Sequence, residues 1–378
     1  MTIAVPSPME AEIRRLISVA GPMSVARYMS LCLGHPQHGY YMTRDPFGAN
    51  GDFTTSPEVS QIFGELLGLW ALSVWRALGE PPRVHLVEMG PGRGTMMRDA
   101  LRAARVMPNF RQALSVHLVE MSPVLEQIQR AALEEADVPL SWHRSLSEVP
   151  DEGATIILAN EYLDALPVHQ AVKQPDGWHE RVIGLGPNGE FMLGLAPDPL
   201  PQFDRFLPAR IREAPVGAIF EWRSDLHAYE IARRVRSNGA ALIIDYGHVE
   251  SGVGDTLQAV KGHGFVDPLS TPGLADITAH VDFSSFAAAA ESMGVIAQGP
   301  VTQAQFLKDL GIEVRADALR RNANELQAAA ITSGVARLTE GGPTGMGELF
   351  KVLAICDPKL GPLPGLPRKF GHISPKEP

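Results

Sequence analysis

Cysteine is nearly absent: Cys32 and Cys356 are the only two among 378 residues. Thiols that far apart offer no metal-ligand spacing. A single disulfide would be an unusual staple for a chain this long, so a reduced setting and no metal are expected. Long apolar runs are missing too. None approaches the roughly 20 residues that a membrane span needs. Positive charge is in deficit, with 33 Lys and Arg against 43 Asp and Glu and a formal net charge of -10. Nucleic acid and membrane surfaces are anionic, so a general binder of either is disfavoured, whereas a basic protein or peptide would be attracted. Glu10, Glu12, Arg14 and Arg15 interrupt the first twenty residues. That pattern fits neither a signal-peptide h-region nor a transit peptide. A bacterial cytoplasmic location is expected.

What is present is the composition of a globular enzyme, 45% apolar and 20% charged, with no internal repeat and length for one large domain or two. Helical spacing predicts helices over 9–20 and 25–32, the second capped by Ser24, and a longer one over 57–78 with Ser56 as its N-cap. After Pro81-Pro82 the pattern changes. Strands are predicted over 83–89, 115–120, 142–144, 154–159 and 240–246, with helices at 95–105 and 123–135 between them. Alternation at this spacing means βαβ units and a parallel sheet. Between the fourth and fifth strands, three short runs over 168–195 are separated by Pro175-Asp-Gly177 and Gly186-Pro-Asn-Gly189. These turn signals predict an antiparallel insertion, followed by a helix over 222–238. Residues 248–274 read as irregular, with helices following around 283–293, 304–310 and 316–334 and a last strand over 348–355. The fold class expected is α/β, a Rossmann-like, mostly parallel sheet carrying that insertion. The divisions expected are a helical segment packing on the core (1–80), the core itself (81–165 and 238–356), the insertion (166–237) and an extended tail (357–378).

The strongest local signal is Val84-His-Leu-Val-Glu-Met-Gly-Pro-Gly-Arg-Gly94. A strand ending in an acid, then a glycine turn and a helix, is the geometry of a nucleotide-like site at the carboxyl end of a sheet. A phosphate-cradling P-loop needs Gly-Lys-Ser/Thr, which is absent. A dinucleotide fingerprint needs its third glycine one residue later, where Thr95 stands. The pattern left is Glu88-x-Gly90-x-Gly92-x-Gly94, which resembles the first motif of class I methyltransferases. S-adenosylmethionine carries a sulfonium, an ammonium and two ribose hydroxyls, and acids at strand ends suit these and would repel a pyrophosphate. Glu120 closes the second strand, where an acid accepts ribose hydroxyls.

Further segments are similar to the MidA family: Leu31-Cys-Leu-Gly-His-Pro-Gln-His-Gly-Tyr-Tyr41, Gly51-Asp-Phe-Thr-Thr-Ser-Pro-Glu-Val-Ser-Gln61, Asn160-Glu-Tyr-Leu-Asp-Ala-Leu-Pro167, Ile244-Asp-Tyr-Gly-His248, Asp276-Ile-Thr-Ala-His-Val-Asp-Phe283 and Met346-Gly-Glu-Leu-Phe-Lys-Val-Leu353. The stretch Thr256–His263 is less basic than that family's pattern. The resemblance implies protein-arginine N-methylation, and its mitochondrial members act in respiratory complex I assembly. The partner it implies is a protein substrate, such as a complex I subunit; a homodimer is open as well.

A guanidinium is a poor nucleophile because its lone pairs are delocalised and its pKa lies above about 12. Carboxylates that bind it bidentately can localise its charge away from the reacting nitrogen. Such groups belong at the carboxyl end of the fourth strand. Glu161 is the expected clamp and Asp164 the second acid, sharing a face if the segment turns helically, unless Asp164 caps the turn before Pro167. His280 is a candidate base or a core histidine. Asp245 and His248 are read as substrate groups or as holders of loop amides. Beyond Glu88, Gly90, Gly92, Gly94 and Glu120, cofactor contacts are expected from Met121, Leu146, Asn160, Thr54 and Ser56. Three readings compete with arginine methylation: a small-molecule or other-residue methyltransferase, an assembly chaperone that binds the cofactor without turnover, and, last, a nicotinamide dehydrogenase.

Overall fold

The computed structural model describes residues 6–48, 51–342 and 344–367. Its frame is the alternating strand and helix pattern of the middle of the chain. The strands are β1 (Val84–Met89), β2 (Leu114–Val119), β3 (Leu140–His143), β4 (Ala154–Asn160), β5 (Gly239–His248), β6 (Ile296–Thr302) and β7 (Phe350–Cys356). They lie in the order β6-β7-β5-β4-β1-β2-β3. β1 pairs in parallel with both β2 and β4, so the connections reverse direction there and the strand ends open a crevice. Only β7 runs against its neighbours β5 and β6.

The helices that matter for the site are α1 (Pro8–Ala20), α2 (Val25–Gly34), α3 (Gln61–Ala77), α4 (Thr95–Ala104), α5 (Pro123–Ala132), α6 (Leu226–Val235) and α7 (Phe283–Glu291). All seven residues of β4 are buried, because both sheet faces are covered. Val84 and Leu86 pack with α3 and α4 on one face, while Val87 and Met89 pack with α6 and α7 on the other. α3 comes so close to α4 that a Cβ on Gly68 would stand 2.5 Å from the Ala100 carbonyl oxygen. A glycine is required there.

Three histidines stand side by side across β1, β2 and β3. His85 Nδ1 lies 2.9 Å from His117 Nε2, and His117 Nδ1 lies 2.9 Å from His143 Nε2. His85 Nε2 lies 2.8 Å from the Glu152 carbonyl oxygen. Burial, then the neighbouring histidines, pushes the His117 pKa down to about 4.

The insertion folds as an antiparallel sheet of Val168–Gln174, Gly177–Leu185, Phe191–Leu195 and Ile219–Arg223. Met23–Ser24 joins its edge. Consequently α1 and α2 bury Ile13, Tyr28 and Met29 against Val168, Ile183 and Ile277, not against the main sheet as expected. Among the described residues before Pro81, α3, with Val59 and Leu78 beside it, packs into the core of the main sheet.

Four local expectations are corrected. The helix predicted over 57–78 is two pieces, Ser56–Val59 and α3. Ser60 breaks it with extended backbone and caps α3 by accepting from the Ile62 amide, so Ser56 is not the cap. The helix predicted over 222–238 begins only at Leu226, because Trp222 and Arg223 belong to a strand paired with Val168 and His169. The irregular stretch before Leu274 contains a hairpin, Gln258–Lys261 with Gly264–Val266, joined by Asp276–Thr278. The residues after Asp357 do not leave as an extended arm: Leu360, Leu363 and Leu366 are buried in the core. Residues 368–378 of that expected tail lie outside the described residues.

Candidate functional site

The carboxyl ends of β1, β2, β4 and β5 border a cavity of about 900 Å³. Its first wall is the glycine turn. Gly90, Gly92 and Gly94 all adopt left-handed backbone, with φ of 66°, 55° and 78°. A Cβ on Gly90 would stand 3.0 Å from the Tyr162 ring, so the turn presents bare backbone to the cavity. Gly94 faces the other way, against Gln129, and caps α4. It shapes the turn and does not line the cavity.

Two acids close this wall. Glu120 is fixed at both oxygens: Oε1 accepts from the Ser122 amide at 2.7 Å, and Oε2 from Gln129 Nε2 at 3.0 Å. Gln129 also donates to the Gly92 carbonyl and accepts from Trp142, so one side chain locks turn and acid together. Arg144 donates to the carbonyls of Glu120 and Met121, holding that loop from its exposed side. Glu88 is buried, and its Oε2 has no partner among the described residues. Burial, then the charge of Glu120, raises its pKa to about 8. A buried acceptor without a donor costs stability unless a ligand supplies one. Asn160 Oδ1 is a second orphan on the same cavity.

These groups fit S-adenosylmethionine. The orphaned Glu88 and Asn160 oxygens and the fixed Glu120 are acceptors for an ammonium and hydroxyls, and the bare glycine turn admits a ligand closely. Met121, Leu146 and Thr54 line the same cavity. Ser56 does not. It is fully buried, and its amide donates to Glu161 Oε1 at 3.0 Å.

The opposite wall begins at the end of β4. Residues 161–166 form an irregular turn, not a helix, so Glu161 and Asp164 share no helical face. The turn winds around Asp245, whose Oδ2 accepts from the amides of Tyr162, Leu163 and Asp164 at 3.2, 2.9 and 3.1 Å. Of its two readings, the holder of loop amides is the one the geometry favours. Glu161 takes left-handed backbone, φ 50°, at the head of this turn. Its Oε1 also accepts from Asn160 Nδ2 at 3.1 Å. Burial, outweighing the Ser56 amide, raises the Glu161 pKa to about 7. Asp164 accepts from the Ala165 amide at 2.8 Å and bonds the Tyr246 hydroxyl, and burial raises its pKa as well. It thus caps its own turn and still borders the cavity.

His280 lines the cavity beside the Tyr246 ring, 5.6 Å between centroids. Burial and then His248 lower its pKa, which keeps the ring neutral. Its backbone is pinned, the amide on Thr256 Oγ1 and the carbonyl on Arg223. His248 instead faces Asp282 at 3.9 Å.

Sequence reasoning missed Gln129, Arg223 and Tyr41. Gln129 left a signal: it follows Leu125 by four residues, on the buried face of α5. Arg223 donates to the carbonyls of Leu166, His280, Asp164 and Ala279, a role that only the closed fold creates.

The family of S-adenosyl-L-methionine-dependent methyltransferases has a model that matches residues 66–301. The mitochondrial protein arginine methyltransferase NDUFAF7 of Mus musculus is 40% identical over 375 residues, 92% of this chain and 84% of that one. Its Drosophila melanogaster homolog is 39% identical, covering 91% and 84%. A Burkholderia thailandensis crystal structure bound to S-adenosyl-homocysteine superposes with a TM-score of 0.84 at 27% identity, covering 96% of this chain and 97% of that one.

Proposed function

Given that the chain belongs to the S-adenosyl-L-methionine-dependent methyltransferase family, we propose that this methyltransferase acts on arginine side chains of a protein. The observation that carries the proposal is the disposition of Glu161. Its two donors, Ser56 and Asn160, both go to Oε1, which leaves Oε2 open to a ligand on a residue that lines the cavity. Asp164 borders the same space. A buried and a half-buried carboxylate suit the fork of a guanidinium better than a neutral nucleophile. The relatives named as protein arginine methyltransferases support the same substrate class.

When bound, S-adenosylmethionine supplies a methyl group on a sulfonium: the S–C bond breaks as a guanidinium nitrogen forms the N–C bond. The protein's part is to fix that nitrogen and desolvate it. Glu161 and Asp164 would hold the other nitrogens, so that positive charge gathers away from the attacking one. The departing N–H proton needs an acceptor, and the neutral ring of His280 is the candidate at the cavity wall. In the cofactor half, Glu88, Gly90, Gly92, Glu120, Met121, Leu146, Asn160 and Thr54 are the proposed contacts.

The resemblance noted in the sequence puts a respiratory complex I subunit first among candidate substrates, and the two widely separated cysteines put a reduced compartment such as the cytoplasm first as location. No helix of the described residues is long and apolar enough to cross a membrane. The test is the purified protein incubated with methyl-tritiated cofactor and extract from cells lacking it, followed by mass spectrometry of labelled peptides. Methylarginine on a discrete protein is the expected result. Label on a small molecule or another residue would overturn the substrate class, and cofactor binding without transfer would favour a chaperone.

A further inference from the structure

Of the acids lining the cavity, the clamp and the cofactor contacts leave Glu58, Glu230 and Asp276 unused, and of these Asp276 is the buried one. Asp276 opens the strand Asp276–Thr278, is only 6% exposed, and lines the same cavity as Glu161 and Asp164. The Tyr41 hydroxyl donates to its Oδ1 at 2.7 Å. Asp164 has a matching phenol in Tyr246. Both phenols act as donors and lie near both acids, since the charges of Asp164 and Asp276 raise the pKa of each after burial has done so. The backbones beneath are tied together. The Ala279 amide donates to the Asp164 carbonyl at 3.2 Å, and Arg223 Nη2 spans the carbonyls of Asp164 and Ala279 at 3.1 and 2.6 Å.

This pair of acids therefore has fixed spacing but, among the described residues, no guanidinium paired with it, because Arg223 spends its donors on carbonyl oxygens. The cavity that both acids border also presents the orphaned Asn160 Oδ1 already given to the cofactor, so the pair faces a ligand space and not a closed core. We infer that Asp276, held by Tyr41, determines substrate specificity, reading the positive charge of the arginine that Glu161 and Asp164 clamp. The inference rests on the arginine reading above. Crowded acids repel one another: burial, then Asp164, raises the Asp276 pKa to about 8, with Glu161 adding to it. A cationic ligand relieves that repulsion, and a neutral one of the same shape leaves it standing.

The test measures two capped tripeptides, Gly-Arg-Gly and its citrulline counterpart, by calorimetry on the full chain saturated with S-adenosylhomocysteine. The unaltered protein should prefer arginine by about tenfold or more. Asp276→Asn, which preserves shape and an oxygen for Tyr41, should shrink that preference to about threefold with S-adenosylhomocysteine affinity unchanged. Asp276→Glu should restore part of it. An Asp276→Asn protein that keeps the full preference overturns the inference and leaves the arginine reading intact. An unaltered protein that does not distinguish the peptides overturns both. Parallel loss of S-adenosylhomocysteine affinity in both variants would make Asp276 a structural residue, and the inference would fall.

Discussion

The two walls of the cavity are built differently. The cofactor wall is local: β1, the glycine turn, α4, β2 and α5 follow one another within residues 84–132, and each acid terminates a strand. The opposite wall is assembled from afar. Glu161 is held by Ser56, 105 residues earlier, its turn by Asp245, more than 80 residues later, and Tyr41 meets Asp276 across 235. A wall made of consecutive pieces depends on backbone conformation. A wall made of distant pieces depends on a few side-chain hydrogen bonds, so single substitutions should damage the two in different ways.

The largest expected effect lies in the assembled wall. Glu161→Gln should lower methyl transfer by about 10²–10³-fold, the range for removing one group that steers charge in the transition state. S-adenosylmethionine binding by calorimetry should stay within about threefold. Weakened cofactor binding of similar size would erase the division between the walls. Asp245→Ala comes next. Three amides of the 162–164 turn lose their acceptor, and thermal unfolding should report a loss of about 2–4 kcal/mol. On the local wall, Gly90→Ala forces an alanine to φ 66° with its Cβ against Tyr162. Cofactor affinity should fall roughly tenfold while global stability drops by only about 1–2 kcal/mol. Normal affinity would show that the turn is not the cradle.

The smallest effect is a pH dependence that both walls share. In the folded, ligand-free chain Glu88 and Asp276 keep a proton up to about pH 8 and Glu161 up to about 7. In the unfolded chain such carboxyls lose it near pH 4 to 4.5, to within about half a unit. The folded state then binds more protons, so stability falls as pH rises from about 4.5 to about 8. His117, lowered to about 4, acts in the opposite sense, but only below about 6.5. Between pH 6.5 and 8 the Tm of the ligand-free protein should therefore decline by a few degrees. Glu88→Gln should flatten the slope by calorimetry, and an unchanged slope would mean that Glu88 is already ionised.

The same contrast explains what could be read in advance. Strand alternation, the glycine turn and Glu120 are short-range patterns and were legible to within two residues at the strand ends, although Gly94 caps α4 instead of lining the cavity. β6 escaped because Gly299-Pro300 sits inside it and breaks the apolar pattern, although its neighbour β7 covers both sides of that break. The hairpin at Gln258 escaped because its residues alternate only weakly and gain strand geometry from pairing with Asp276–Thr278. Glu161 and Asp164 were identifiable from their place after a strand. Their helical relation was wrong because Asp245 pulls three amides around one oxygen, an interaction over 80 residues that no local periodicity carries. Ser56 likewise had the spelling of a cap, yet Ser60 makes the cap and the Ser56 amide serves Glu161.

The three histidines across β1, β2 and β3 have a direction. The Glu152 carbonyl can only accept, so His85 must carry its hydrogen on Nε2 and offer a lone pair at Nδ1. His117 then has to donate from Nε2, and its own Nδ1 receives the hydrogen of His143 Nε2. A row of neutral rings is thereby confined to one tautomer throughout. An added proton is admissible only at the open Nδ1 of His143, since a proton on either of the other two rings would set hydrogen against hydrogen. The sheet edge thus carries a one-way wire of imidazoles, whose polarity is set by a single peptide oxygen at its far end.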